Sequence, residues 1–371
     1  MKQKPFSLKS ISLFTGAGGM DVGFQNAGFE VVWANELMKH AADTYSLNND
    51  SEVMHCGDLT KLIEDIPQKN ITCVFGGPPC QGFSVAGKMD KNDPRSKLVF
   101  DFMEVVGRTK SKSFVMENVK ALASLEKFSG VRQELLKTAN ELGYVANFYV
   151  LNAREFGVPQ SRERVFFIGF RKELKVKFSI SRFNEFKKKP ISVGNLIKKF
   201  GRAGTEKNPL TCKAKITLAQ KPIMRKSPYA GMLFNGMGRP LNLASVSYTL
   251  PASMGGNKTP IVDEGHLFEG RPNWVENYHA NLMESQAQEG PAELTEAPPV
   301  LRRLTLKEAA AIQTFPNEYK FSGPMSSQYA QIGNAVPCGL AEAVANAVKA
   351  ALLGFEYQEE CSQNELEFSG G

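Results

Sequence analysis

Histidine is scarce in this chain of 371 residues: there are four, and they are scattered. The six cysteines (Cys56, Cys73, Cys80, Cys212, Cys338 and Cys361) include no C-x-x-C pair. These two shortages exclude a structural zinc site and a disulfide framework, and no metal is expected. No run of 18 apolar residues is present, so no membrane-spanning helix is expected. The opening Met1-Lys2-Gln3-Lys4-Pro5 leads straight into an apolar strand without a signal-peptide core, which points to a cytoplasmic protein. The glycine-rich turn near residue 16 lacks both the full G-x-G-x-x-G fingerprint and the lysine of a phosphate-binding loop. That argues against a phosphate-rich ligand.

What is present is enough apolar material, 42% of residues, for a sizeable core, and a length suited to two domains. The net charge of +7 conceals an asymmetry. Between Arg171 and Lys226 there are 17 Lys/Arg against 3 Asp/Glu, while the remainder carries more acid than base. A basic middle on an acidic remainder suggests a polyanion-binding face.

The first 170 residues alternate apolar strands with helical patterns, the signature of an α/β wound sheet. Expected strands are Ile11–Phe14, Val31–Ala34, Ile71–Phe75, Phe114–Met116, Tyr149–Leu151 and Val165–Ile168, with a further strand ending near Asp58. Expected helices include Lys39–Leu47 and Val131–Leu142. From about residue 186 lysine, glycine and proline rise and clean periodicity disappears, which reads as a second, smaller, irregular domain over 186–300. Residues 301–355 are expected to return to the first domain (1–185), and 356–371 to form a loose tail. Thr305 and Glu308 make a capping box for a helix that stops at Pro316, and Leu340–Leu352 is an apolar helix that must dock on a core.

Two constellations carry chemistry. Gly16, Gly18 and Gly19 follow the first strand and open a helix, where glycines let a ligand approach the backbone. Glu36 follows the second strand, 20 residues after Gly16, where an acid accepts from ribose hydroxyls. Asp58 is placed to accept from an adenine amino group. The pocket reads as one for an adenosine without phosphates, for which S-adenosylmethionine fits better than NAD. The second constellation centres on Gly76-Gly77-Pro78-Pro79-Cys80-Gln81-Gly82-Phe83-Ser84. Cys80 lies just past an apolar strand, behind two stiff prolines. On its own it reads equally as a nucleophile or as a packed thiol in a tight turn. Glu117 ends another strand facing the same crevice, and Arg162 and Arg164 lie two apart on an extended chain, a spacing that points both to one face.

Taken together, these residues resemble the cytosine-5 DNA methyltransferases. The resemblance rests on Leu13–Gly19, Gly77–Ser84, Glu117-Asn118-Val119, Gln160–Arg164, Arg303–Pro316 and Gly333–Pro337, in that order along the chain. One departure is Ser12, where many members carry Asp. The resemblance implies a Rossmann-like methyltransferase sheet with a DNA-recognition domain. It implies that Cys80 adds to carbon 6 of cytosine, that Glu117 holds a proton at ring N3, and that Arg164, with Arg162, binds the exocyclic O2. Phe14, Gly16, Gly18, Gly19, Glu36, Leu37, Asp58, Leu59, Pro78, Leu98, Asn334 and Ala335 fall at cofactor positions, with Asn334 and Ala335 returning beside Phe14. Residues 81–98 are expected to be a mobile loop closing over a flipped base, with Gln81, Ser84, Lys88 and Arg95 as DNA contacts. Thr249-Leu250 looks like the family's Thr-Leu pair, with Thr249 on the DNA backbone, and the loops 226–236 and 249–259 are placed to read base edges. The expected partner is double-stranded DNA, met by a monomer, with a cognate restriction endonuclease as functional companion. Alternatives are a tRNA cytosine-5 methyltransferase, a non-catalytic DNA-binding module and a nicotinamide-dependent oxidoreductase.

Overall fold

A computed structural model describes residues 8–79, 94–285 and 297–368. The chain divides into two compact units, one of Met1–Phe156, Glu163–Lys188 and Cys338–Gly371, the other of Gly157–Arg162 and Lys189–Pro337.

The first unit is built on seven strands: β1 (Leu8–Leu13), β2 (Phe29–Glu36), β3 (Met54–Cys56), β4 (Cys73–Gly76), β5 (Ser113–Val119), β6 (Tyr144–Asn152) and β7 (Glu163–Arg171). Their order is β3-β2-β1-β4-β5-β7-β6. β1 to β5 run parallel, whereas β7 is antiparallel to both its neighbours. Ile11, Val74, Phe75, Phe114 and Val115 are fully buried, as strands covered on both faces require. Alternation sorts them: Val74 joins a core with Val99, Phe102 and Val106 of the helix Pro94–Thr109 and Leu135 of the helix Ser129–Glu141. Phe75, on the opposite face, stacks on Phe24 of the helix Gly19–Asn26 at 3.9 Å. The chain reverses its winding between β1 and β4, so a crevice opens at their carboxyl ends.

Three expectations change. Residues 94–98 lie in the helix Pro94–Thr109, not in a loop ending at 98. Pro94 suits the first helical position, where its fixed φ is preorganised and no N–H is needed, and Val99, Phe102, Met103 and Val106 supply the buried stripe. The helix beginning at Cys338 runs to Phe368, so helix extends into the segment expected to be a loose tail. The chain rejoins the first unit at Cys338, later than residue 301. The apolar stretch 325–354 has the length to cross a bilayer, but it is broken between two helices and mostly buried in protein.

The second unit has little regular structure. Two short antiparallel ribbons, Leu218–Ile223 with Met232–Phe234 and Ile261–Asp263 with Leu301–Arg303, share a small core of Ile216, Leu233, Phe234, Ile261, Val275 and Leu301. The capping box forms at the helix Leu306–Ile312, and its Glu308 is also held by Arg302 through two contacts of 2.8 Å.

Two buried details of the helix Gly19–Asn26 yield tests. A Cβ at Gly23 would lie 2.4 Å from the Glu342 nitrogen and 2.6 Å from the Cys338 carbonyl, both on the helix Cys338–Phe368. Lys349 of that helix donates to the carbonyl of Ala27 at 2.7 Å, at the other helix's carboxyl end. Gly23→Ala should therefore destabilise the protein by about 1–3 kcal/mol through overpacking, seen as a lower Tm; an unchanged Tm contradicts this packing. Asp21 is fully buried, and among the described residues neither carboxylate oxygen completes a hydrogen bond. Burial pushes its carboxyl up to about 7, and the nearby hydroxyls of Ser12 and Tyr45 only partly oppose that. The folded chain thus keeps a proton that the unfolded chain, with its carboxyl at 3.8, releases, so stability falls as pH rises from about 4 to about 7. Asp21→Asn should raise Tm more at pH 8 than at pH 5, and an equal effect at both would contradict a buried acid.

Candidate active site

The first unit gathers the carboxyl ends of β1, β2, β4 and β5 at one edge. After β1, Phe14 adopts a positive φ of 54° and Gly16 one of 55°, which turns the chain into the helix at Gly19. Gly18, with φ 81°, is that helix's N-cap. Glu36 closes this turn. Its Oε2 accepts from the Gly16 N–H at 2.8 Å and its Oε1 from the Met38 N–H at 2.7 Å. Burial pushes the Glu36 carboxyl upward, and those backbone donors oppose the push. Beside it Leu37 and Met38 are largely exposed, an apolar lip on a polar turn.

Asp58 caps the single helical turn Leu59–Leu62, its Oδ1 accepting from the Thr60 N–H and hydroxyl at 3.0 and 2.9 Å. Its carboxylate is exposed. Leu59 is buried in the core, so its side chain packs inward. Leu98 is half-buried in the first turns of its helix.

The chemistry-bearing edge is narrower. Gly76 is required because a Cβ there would sit 2.0 Å from the Leu13 carbonyl of β1. At Gly77 a Cβ would lie 2.8 Å from Glu117 Oε2, so the glycine admits the carboxylate against the turn that leads to Cys80. Asn118 donates to the carbonyl of buried Pro78 at 3.0 Å, which ties β5 to the same turn. Glu117 Oε1 meets Arg164 Nε at 2.8 Å, and both side chains are mostly buried, 12% and 15% exposed. Arg164 also donates to the Glu163 carbonyl. Cys80, Gln81, Ser84 and Lys88 lie outside the described residues, as does the side chain of Arg95.

Arg162 is engaged differently from Arg164. It is 2% exposed, and in the second unit it donates to three backbone carbonyls, Leu250 at 3.2 Å, Gly333 at 2.9 Å and Asn334 at 3.4 Å. The two arginines therefore divide: Arg164 pairs with Glu117, whereas Arg162 clamps backbone. Gln160 joins that clamp, donating to Gln313 Oε1 at 2.8 Å and accepting from the Leu250 N–H at 2.8 Å. Gln313 donates onward to the carbonyls of Ile332 and Ala335. Thr249 spends its hydroxyl proton on the Ser161 carbonyl at 2.8 Å and remains exposed. Asn334 ends the helix Met325–Asn334 with its side chain exposed. Sequence reasoning gave no role to Gln313, Gly77 or Asn118. The doubled glycine before two prolines was the available signal for Gly77, and Gln313 had none beyond its place in a motif.

A family model for C-5 cytosine-specific DNA methylase matches residues 8–350. Among characterised proteins, the Type II methyltransferase M1.HphI of Haemophilus parahaemolyticus is 33% identical over 350 residues, spanning 92% of this chain and 87% of that protein. The Type II methyltransferase M.NgoPII of Neisseria gonorrhoeae is 32% identical, spanning 93% and 96%. Among solved structures, a putative DNA modification methyltransferase encoded within an E. coli prophage superposes with a TM-score of 0.65 at 23% identity, covering 93% of this chain and 99% of that one. The Dnmt2 methyltransferase of S. pombe does so at 0.63 and 17% identity, covering 94% and 99%. With the site geometry these likenesses place the chain in the C-5 cytosine-specific DNA methylase family, as a DNA (cytosine-5)-methyltransferase.

Proposed function

We propose that the chain extrudes a cytosine from duplex DNA and methylates it by covalent catalysis through Cys80, as the modification half of a Type II restriction–modification system or as a solitary methylase. The observation that carries this is the Glu117–Arg164 pair seated against Gly77, three residues before Cys80. Carbon 5 of cytosine is a poor nucleophile. When the Cys80 thiolate adds at carbon 6, an S–C6 bond forms and the C5=C6 electron pair moves onto carbon 5. Glu117 holds a proton at ring N3 and so takes up the charge created by addition. Arg164, fixed by Glu117 Oε1, keeps that carboxyl in place and offers its other donors to the exocyclic O2. Loss of the carbon-5 proton and departure of the Cys80 sulfur then restore the ring. Extrusion from the stack costs a few kcal/mol and is required because carbon 5 is shielded in a duplex.

S-adenosylmethionine, when bound, supplies the methyl group as an electrophile. The residues present fit it: Glu36 and the exposed Asp58 would repel phosphates but accept from ribose and an adenine amino group. The glycines at 16, 18 and 19, half-buried Phe14 and the apolar lip at Leu37 suit an adenosine. We read the protein as a monomer acting on DNA in the cytoplasm.

The test is a duplex carrying 5-fluorocytosine at the methylated site, found first by bisulfite mapping of DNA from cells expressing the chain. Fluorine cannot leave as a cation, so the adduct should persist with wild type and be absent with Cys80→Ser, which should still bind S-adenosylhomocysteine. Wild type that methylates without ever forming the adduct would refute covalent catalysis. Glu117→Gln should lower kcat by about 100-fold or more with cofactor affinity within about twofold. Asp58→Ala should weaken S-adenosylhomocysteine binding by about 10-fold, beside a loss of about 0.5–2 kcal/mol of stability from the lost cap on Leu59–Leu62, and an identical isotherm would remove the adenine contact.

A further inference from the structure

The second unit holds a two-stranded ribbon whose tip is basic and unusually well fixed. Leu218–Ile223 and Met232–Phe234 pair antiparallel, joined by residues 224–231. The base of the ribbon is packed: Leu233 and Phe234 are buried with Val275 of the helix Trp274–Ser285, and Leu218, Met224, Trp274 and Tyr278 lie against them. The tip is pinned to the same helix at two points. His279 Nε2 lies 2.8 Å from the carbonyl of Arg225; because a carbonyl only accepts, that nitrogen carries the proton. The Tyr229 hydroxyl donates to Glu276 Oε1 at 2.6 Å and accepts from Asn273 Nδ2 at 3.0 Å. Burial and the neighbouring Glu276 push the Tyr229 hydroxyl upward, so it stays a donor. Gly231 allows the turn to close, since a Cβ there would meet the Ile223 carbonyl at 2.5 Å.

The side chains left at the tip are Arg225, Lys226 and Ser227, all exposed. Among the described residues neither cation has an ion-pair partner. A fixed backbone carrying an unpaired guanidinium is suited to directional recognition, whereas a floppy cation serves only as a point charge. A two-stranded ribbon also has the width of the B-DNA major groove, where the guanidinium fork matches O6 and N7 of guanine.

We propose that Arg225 reads a guanine of the target site from the major groove, with Tyr229 as a positioning residue that holds the tip in reading geometry. This rests on the second unit being the DNA-recognition part of the enzyme. Lys226, beside it, supplies a phosphate contact.

The test compares full-length wild type, Arg225→Ala, Arg225→Lys and Tyr229→Phe on a duplex with the mapped site and on duplexes with each guanine pair replaced in turn. Arg225→Ala should lose about 10- to 100-fold in kcat/KM on the mapped site, with Tm and S-adenosylhomocysteine binding unchanged. On the duplex altered at the one guanine it reads, the same variant should lose little further. Arg225→Lys should keep non-cognate DNA affinity within about twofold yet fail to recover discrimination. Tyr229→Phe should raise KM for DNA by about 3- to 10-fold with kcat unchanged. Wild-type methylation together with an unaffected Arg225→Ala overturns the assignment alone. Full discrimination in Arg225→Lys also overturns it, because it marks a phosphate contact. A wild-type protein that methylates no duplex overturns the parent reading and this one with it.

Discussion

The ion pair between Glu117 and Arg164 is the constraint on which the reactive edge depends. Two mostly buried charges forfeit much of their hydration, so the pair persists only where geometry returns that cost. Here the geometry comes from topology. β5 runs toward the crevice and ends in Glu117-Asn118-Val119, while β7 runs the other way and begins with Glu163-Arg164. Register places Val119 opposite Arg164. A parallel β7 would have put its first residues at the far end of the sheet. One reversed strand in an otherwise parallel set is what delivers a guanidinium to the carboxyl-end crevice.

A second set of polar contacts organises the second unit. Gln160, Arg162, Leu250, Gln313 and the Gly333–Ala335 turn are linked by side chains that reach mainly backbone atoms. Such contacts specify a chain path without specifying the side chains along it. Loops nearby are free to vary, which suits a unit whose core is small and whose ribbons are short.

Much of this was legible in advance. The wound sheet followed from alternating apolar runs, and every expected strand appears, usually longer, because β-strands such as Tyr144–Asn152 carry polar residues at their ends that pattern reading trims. The placement of Gly16, Glu36 and Glu117 at or just past the carboxyl ends of β1, β2 and β5 followed from the strand pattern. Arg162 and Arg164 have different partners because a spacing of two predicts a common face only while both residues stay in one regular strand. The chain leaves the first unit before Gly157 and re-enters it at Glu163, so that rule fails across Arg162 and Arg164. The helix at Pro94 was hidden by lysines and an arginine that looked like a loop, although Val99, Phe102, Met103 and Val106 carry its buried stripe. The anchoring of the ribbon tip could not be read, since His279 and Tyr229 are 50 residues apart and only folding brings their partners together.

The placement of Gln160–Arg162 in the second unit has a consequence for modularity. The segment 189–337 is a long excursion, yet a six-residue strip from upstream belongs to the same unit. Exchange of that segment between enzymes is therefore a graft with a socket already in place. An incoming piece must present carbonyls where Leu250, Gly333 and Asn334 now present theirs, and an amide in the position of Gln313, or the buried guanidinium is stranded. Sequences brought in by recombination are accepted there only within that mould.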